Sequence, residues 1–480
     1  MGFQFVFLWT DLALWAMFAA LAGYGLRVAR RPHLRAAWSK AFRDPAALAS
    51  GAVLALFMFV TALDSVHFRR VLAATPEQGA NAAYYDTHTE SLLDLALARP
   101  LAMRESSYSE PLATHGLIKQ NLERDGASVR EHPRLAHGGA HLGDPPAQRG
   151  VDMATRVGAG VLAGLLITVG LSLALAWRLG RRNQGTAGAW RDIVGARTRY
   201  PWRALLLTVG TVALLAGPTM ALMGHYHVLG TDRTGNDVLM QALKSIRTAF
   251  VIGSLATVAT LPPAIVLGVL AGYYKGWVDE AVQYLYTTLT SVPNVLLIAA
   301  CVLMVQVFLD THPDLFETGL ERADLKMFLL CLILGLTGWA TLCRLVRGET
   351  LKLRELEFVQ AAEAFGVSPA RTMARHILPN VMHLVLITTV LNFSDLILYE
   401  AVLTYIGVGV DPSTNSFGGM INLARNEMSG DPLVWWSFAA AFGFMLALVL
   451  AANLFADGVR DAFDPRARAF RPRLLTHRLP

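Results

Sequence analysis

Two acids, Asp395 and Glu400, stand inside one long apolar run, where a charge costs about 2.5 to 3.5 kcal/mol on insertion scales. Such groups are kept where they face a bundle interior or a solute pathway, and both are pathway candidates. Asp395 equally suits a packing or helix-pairing role. A pair of acids could also do general acid–base work, as in a membrane-embedded hydrolase. A spacing of five residues, however, puts these two on different faces of a helix. His132, His137 and His141 recur at intervals of four to five, which could gather imidazoles around a metal, but Pro133 and Gly138-Gly139 interrupt the helix this needs. Cys301, Cys331 and Cys343 lie in apolar runs at no ligand spacing, so no disulfide framework is expected. No G-x-x-x-x-G-K-[ST] segment is present to cradle nucleotide phosphates. Catalytic residues, metal and cofactor are therefore all expected to be absent from this chain.

The elements that carry these residues are set by apolarity. Of 480 residues, 54% are hydrophobic and 16% charged, against the ~45–50% apolar share of soluble domains. Runs longer than ~18 apolar residues predict an all-α polytopic membrane protein of about nine transmembrane helices. Their spans are 3–26, 46–63, 151–177, 204–223, 246–273, 282–309, 327–346, 381–408 and 434–455. The first has no basic stretch before it and reads as a retained helix. Net charge is +6, gathered beside the spans: six basic residues between Arg27 and Arg43, and seven arginines between Arg178 and Arg203. That bias orients membrane proteins, placing these loops in the cytoplasm and the N-terminus outside, and argues against a nucleic-acid partner. Leu34, Trp38 and Phe42 recur every four residues, as in a helix lying in the interface or a solvated linker. The polar segment 64–152 is expected outside, as an exposed, partly ordered docking loop.

Two polar segments have more specific patterns. Residues 339–380 leave the membrane through Arg344 and Arg347. Good helix formers follow, then Gly366 as a stop and Ser368-Pro369 as the cap and first position of a second short helix. Ala361, Ala362, Ala364 and Gly366 are small, so another surface can approach closely, which suits a docking knuckle. In HVLGTDRTGNDVL (227–239), Gly230 and Gly235 permit a tight turn, while Thr231, Asp232 and Asp237 can cap turns or a helix start.

WATLCRLVRGETLKLRELEFVQAAEAFGVSPARTMARHILPN (339–380) resembles the coupling loop of ABC importer permeases, and more narrowly that of the oligopeptide/dipeptide/nickel family. Gln360 stands where the generic loop has Glu, and His376 where it has a hydrophobic residue. HVLGTDRTGNDVL is similar to the Gly-Thr-Asp-x-x-Gly-Arg-Asp signature of one permease type in that family, with Asn236 in place of Arg. YEAVLTYIGVGVDPSTNSFGGMI, which contains Glu400, and NLFADGVRDAFDPR add two more matches, and KAFRDPAALASGAVLALFMF a fainter one.

The resemblance implies a six-helix type I ABC importer permease core over 201–466, with its coupling loop at 348–379. Before it stands a peripheral extension, 1–200, with three membrane helices and the outer loop 64–152; after it comes a cytoplasmic tail, 467–480. It further implies a multi-pass protein of the inner membrane and its lipid bilayer, carrying di- or oligopeptides. Alternatives are nickel or another small solute, or an assembly or sensor protein with a permease-like core. The implied partners are a second homologous permease, two ATPase subunits or domains that bind ATP and Mg, and an extracytoplasmic substrate-binding protein. Glu357, Gln360, Ala361, Ala362, Gly366 and Ser368 would meet the ATPase. Gly230, Thr231, Asp232, Gly235 and Asp237 would form the outer loop.

Overall fold

The computed structural model describes residues 3–71, 85–86, 89–124, 127–181, 185–316 and 318–463. The expected tail and the last three residues of NLFADGVRDAFDPR lie outside the described residues. Among those described, eight helices, or nine counting a bent pair as one, are long and apolar enough to cross a membrane.

The expected first span divides. Phe3–Val6 is a strand, β1, followed by α1 (Trp9–Arg30), α2 (Pro32–Ala41) and α3 (Pro45–Asp64). β1 pairs antiparallel with β2 (His67–Arg70), which pairs with β3 (Glu90–Ser91). A four-residue apolar stretch reads alike as strand or helix, and only the distant partner decides. Asp44 caps α3 by accepting from the Ala47 amide at 3.1 Å, with Pro45 at the first helical position. α2 is a helix and not a plain linker: its Trp38 ring packs against Phe42, Phe455 and Phe463.

The described residues of the outer segment form short elements. It holds α4 (Leu92–Ala96), α5 (Ala98–Ala102) and a hairpin of β4 (Gln120–Arg124) and β5 (Ala127–Glu131). Next come α6 (Pro145–Gly180), α7 (Gly185–Val194) and α8 (Trp202–Leu222). α6 packs on α7 and α8, and α8 also reaches α3. Gly160 and Gly217 let α6 and α8 touch backbone to backbone: a Cβ on Gly160 would lie 2.6 Å from the Gly217 carbonyl.

The bundle is built around α9 (Val238–Tyr274), which runs unbroken through Pro262-Pro263 and buries Val251, Ile252 and Ala256. The expected sixth span, 282–309, is two helices, α10 (Gly276–Ser291) and α11 (Asn294–Thr311). They break at Val292-Pro293, where proline supplies no amide for a continuous ladder. The expected seventh, 327–346, straddles a 42° bend between α12 (Gly319–Gly338) and α13 (Ala340–Arg354). The remaining helices are α14 (Glu357–Ala364), α15 (Pro369–Thr372), α16 (Leu378–Ile406), α17 (Phe417–Glu427) and α18 (Trp436–Phe463). α3, α12, α13 and α16 all pack on α9, and α18 packs along α3 and α16. The packing therefore does not divide at residue 200: α3 belongs to the bundle, while α6 and α8 stand beside it as a hairpin.

Candidate functional site

Four features carry the chemistry. They are described by end, "outer" for the end bearing 64–152 and "inner" for the end bearing the α13–α16 turn.

At the outer end, residues 227–237 form a seat for the segment around Glu105 to Ser109. Thr231 Oγ1 accepts from the Ser109 amide at 2.7 Å and donates to the Ser107 carbonyl at 2.9 Å. The Glu105 amide donates to the Gly235 carbonyl at 3.0 Å, and the Thr231 amide to the Ser109 carbonyl at 3.1 Å. Gly230 and Gly235 have φ of +71° and +79°, and a Cβ on Gly235 would lie 1.8 Å from the Glu105 carbonyl oxygen. Two demands thus require glycine there, the left-handed backbone and the close approach. Asp232 is used locally, accepting from the Thr234 and Asn236 amides at 2.8 and 2.9 Å and from Gln241 at 2.5 Å. Asn236 donates to Thr234 Oγ1 at 2.7 Å.

His227 lies beneath this seat, fully buried between two carboxylates. Nδ1 is 2.8 Å from Asp237 and Nε2 is 3.4 Å from Glu105. Burial alone would lower its pKa, but the hydrogen bonds to Asp237 and Glu105 win and raise it to about 9. Burial pushes Glu105 the other way, yet the bond to His227 and the amides of Gly138, His137 and Ala136 hold it down at about 2. Asp237 also caps α9 through the Met240 amide, at 3.2 Å. Glu105 had no sequence signal: the partner it serves is 122 residues away.

Above the seat opens a cavity of about 930 Å³, walled by Tyr108, Leu117 and Ile118, by Asp232 to Asn236, and by the segment from Gly407 to Val434. The outer segment thus forms part of the cavity wall, so the expectation that 1–200 is peripheral fails here. His132 and His141 are engaged apart from each other, with the Gly116 carbonyl at 3.0 Å and with Asp152 at 2.9 Å. No group of three or more ligand-type side chains among the described residues is placed to hold a metal.

A buried ion network ties α1 to the bundle. Arg247 Nη2 of α9 donates to Asp11 at 2.6 Å and to Thr10 at 3.0 Å; Asp11 also contacts His67 at 2.7 Å, and the Thr10 amide donates to Asp324 at 3.1 Å. None of these residues was singled out from the sequence: Asp11 and Arg247 are single charges that hardly change the hydropathy of their spans, and His67 and Asp324 lie in polar flanks where nothing local marks a distant partner. Of the two acids that were singled out, Glu400 is buried and accepts from Thr404 at 2.8 Å. Asp395 lies on the exposed face of α16 in line with Leu398, Val402 and Tyr405.

At the inner end, α14 closes on a glycine turn. The Val367 amide reaches the Ala362 carbonyl at 3.0 Å and the Gly366 amide the Glu363 carbonyl at 2.9 Å, with Gly366 at φ +76°. Ser368 occupies the N-cap of α15, though its side chain makes no capping bond. α15 is not an isolated second helix: it passes through a π-helical turn, Met373–Ile377, into α16. Pro379 lacks the amide that would bond back one α-turn, and a wider turn accommodates the loss. Buried Val359 anchors α14, leaving Glu357, Gln360, Ala361, Gly366 and Ser368 exposed and Ala362 half-buried. Phe365, which the sequence reading passed over, is 88% exposed at the tip.

The family described as "binding-protein-dependent transport system inner membrane component" matches residues 264–469. Among curated proteins, the oligopeptide transport system permease protein OppC of Mycobacterium tuberculosis is 33% identical over 248 residues, 52% of this chain and 79% of that protein. The proteins of the same name from Escherichia coli K12 and Haemophilus influenzae are each 30% identical, covering 51% and 53% of this chain and 74% of either relative.

Proposed function

Because this chain belongs to the family of binding-protein-dependent transport system inner membrane components, and is thus a multi-pass ABC importer permease rather than an enzyme, we propose that its cargo is short peptides. In this reading it works in the inner membrane with a second permease, two ATPase units and a substrate-binding protein at the outer face. The observation that carries the coupling half is the turn at Phe365-Gly366. An apolar ring held outward on a hydrogen-bonded turn, on a knuckle whose exposed residues include small Ala361 and Gly366 and apolar Leu356 and Phe358, suits insertion into a partner's groove. ATP-driven closure of the ATPase pair would push this knuckle. Because α15, the π turn and α16 are continuous, the push would reach the face that bears Asp395. That face carries a charge amid apolar side chains, a combination suited to a second permease and a hydrated route between the two chains. The cargo class rests on the relatives' names.

Purifying the chain from its native membrane in mild detergent and identifying what accompanies it tests both halves. Mass spectrometry is expected to find ATPase subunits, a related permease and bound peptide. Recovery of the assembly with a non-peptide solute would remove the cargo assignment, and recovery with no ATPase would remove the importer mechanism.

A further inference from the structure

α1 is the least covered of the candidate spans: 6% of its most apolar stretch is buried inside the chain, against 50% for α9. Its outer end is fixed to the bundle through Thr10 and Asp11. Its inner end is joined to α2, whose Trp38 indole donates to the Tyr24 hydroxyl at 3.1 Å.

One stripe of the open face changes character along its length. Ala16, Ala19 and Gly23 are exposed at helical spacings of three and four, and their small size leaves a shallow apolar track. A Cβ on Gly23 would meet no atom within 4 Å. Arg27 and Arg30 continue the same stripe toward the inner end, where Gly23, Leu26, Arg27, Arg30 and Arg31 line a groove of about 400 Å³. All three arginines are exposed, and among the described residues their guanidinium groups have neither an ion pair nor a hydrogen bond.

Nothing close in sequence offsets this charge, since 27–43 holds six basic residues and no acid. A second arginine cluster stands at the same end. α2 packs on α18, and Ser39 Oγ lies 3.2 Å from the Tyr200 hydroxyl, which brings the 178–203 stretch beside it. Asp192 is the one acid in that stretch, and its described arginines are all exposed. An apolar track ending in unpaired guanidinium groups has the two-part chemistry of a phospholipid. The track takes an acyl chain, and guanidinium forks donate in pairs to phosphate oxygens. A zwitterionic headgroup carries its own cation to the same place and forfeits most of the attraction, so net negative charge is what the groove selects.

We propose that the inner groove of α1 binds an anionic phospholipid of the bilayer, its phosphodiester against Arg27, Arg30 and Arg31 and an acyl chain along Ala16, Ala19 and Gly23. The bound lipid fastens the inner end of a helix that the chain itself holds chiefly at its outer end. The arginines of 178–203 enrich such lipids around the groove without forming it. The site is independent of the cargo.

Native mass spectrometry of the full chain in mild detergent, titrated with phosphatidylglycerol or with phosphatidylcholine of the same acyl chains, tests the site. The first phosphatidylglycerol is expected to bind about tenfold more tightly than the first phosphatidylcholine. Arg27→Gln with Arg30→Gln and Arg31→Gln should remove that preference, whereas Arg191→Gln with Arg197→Gln should leave it in place. Gly23→Trp fills the track without touching the charge and should weaken the first phosphatidylglycerol. Equal binding of the two lipids by the unaltered chain overturns the proposal, as does a preference that survives the triple change or is lost equally through Arg191→Gln with Arg197→Gln. If the triple variant does not fold, Gly23→Trp decides, and undiminished phosphatidylglycerol binding there overturns the site. If the triple variant keeps its lipid preference and loses a copurifying protein instead, the groove is a protein contact and the proposal falls.

Discussion

At the scale of single residues, His227 shows how one ionisable group can fasten two distant parts of a chain. Its folded pKa, about 9, stands above the ordinary 6.5, so the imidazolium is the form the fold prefers. The stabilisation it contributes is complete below pH 6.5 and is lost as pH rises through about 9. Glu105 has the opposite sign: held at about 2 instead of 4.5, it stabilises above pH 4.5 and loses its effect as pH falls through 2. Both contributions are whole only between those limits, and the imidazolium's share is on the order of 3 kcal/mol. Amide hydrogen exchange corrected for intrinsic rate should therefore show the 104–117 segment loosening between pH 7 and 10 in the native protein. His227→Gln should show weaker protection with little change across that interval. Identical pH profiles for the two would show that the segment is held by the Thr231 and Gly235 backbone contacts alone. The signature glycines and the two aspartates were legible as turn and cap formers, because those roles are local; Thr231 was not, since its hydroxyl serves Ser107 and Ser109 more than 100 positions away. Glu105 and the Arg247–Asp11 pair were not, because each acquires its meaning from a residue more than 100 positions away.

At the scale of elements, the inner knuckle was read correctly in its helix, its glycine stop and its second cap position, all of which follow from short-range backbone rules. Its continuation into α16 was missed, since Pro379 reads as the opening of a new helix and only the π turn shows how the old one absorbs it. The continuity makes the knuckle a lever, and bulk at its tip should matter more than backbone strain. Gly366→Ala carries the left-handed penalty of about 1–2 kcal/mol with almost no bulk, and no neighbouring atom lies within 4 Å of the added Cβ. It should keep ATPase copurification and uptake. Gly366→Arg and Ala362→Asp should still fold and insert, yet lower ATPase copurification and uncouple hydrolysis from uptake, because an unpaired charge buried at a packed interface costs about 3–5 kcal/mol. Pull-down of the ATPase with a parallel ATP-hydrolysis and uptake assay decides. Normal values for Gly366→Arg and Ala362→Asp would place the contact elsewhere.

At the scale of the whole molecule, apolar runs made the approximate number of spans legible, eight or nine among the described residues, but not which of them pack together. Chain order suggested an extension of three helices followed by a core. In the folded chain α3 is wedged against α9 and α18, and α1 carries Asp11, a counter-charge of Arg247, whereas α6 and α8 chiefly face each other. Sequence could not show this because all these helices share the same apolar composition, and close helix contacts in a membrane depend on small residues and rare charges rather than on hydropathy. The packing makes opposite forecasts for two deletions. Removing residues 1–64 takes Asp11 from beside buried Arg247, leaving only the longer contact to Asp324 at 3.8 Å among the described ion pairs, and strips α18 of α3; removing one partner of a buried ion pair costs about 3–5 kcal/mol, so the shortened chain should fail to accumulate in the membrane. Removing residues 145–222 takes out two spans together, so the direction of every later helix is preserved. The cut ends are near each other, since the Gly139 amide already donates to the His225 carbonyl at 2.8 Å. With a short glycine-serine linker between Asp144 and Met223, this variant should reach near-native membrane levels and retain the ATPase. Fluorescence-detected size exclusion of tagged variants, followed by pull-down, compares them directly. Loss of both chains to the same extent would mean that the α6–α8 hairpin is as integral to the bundle as α3.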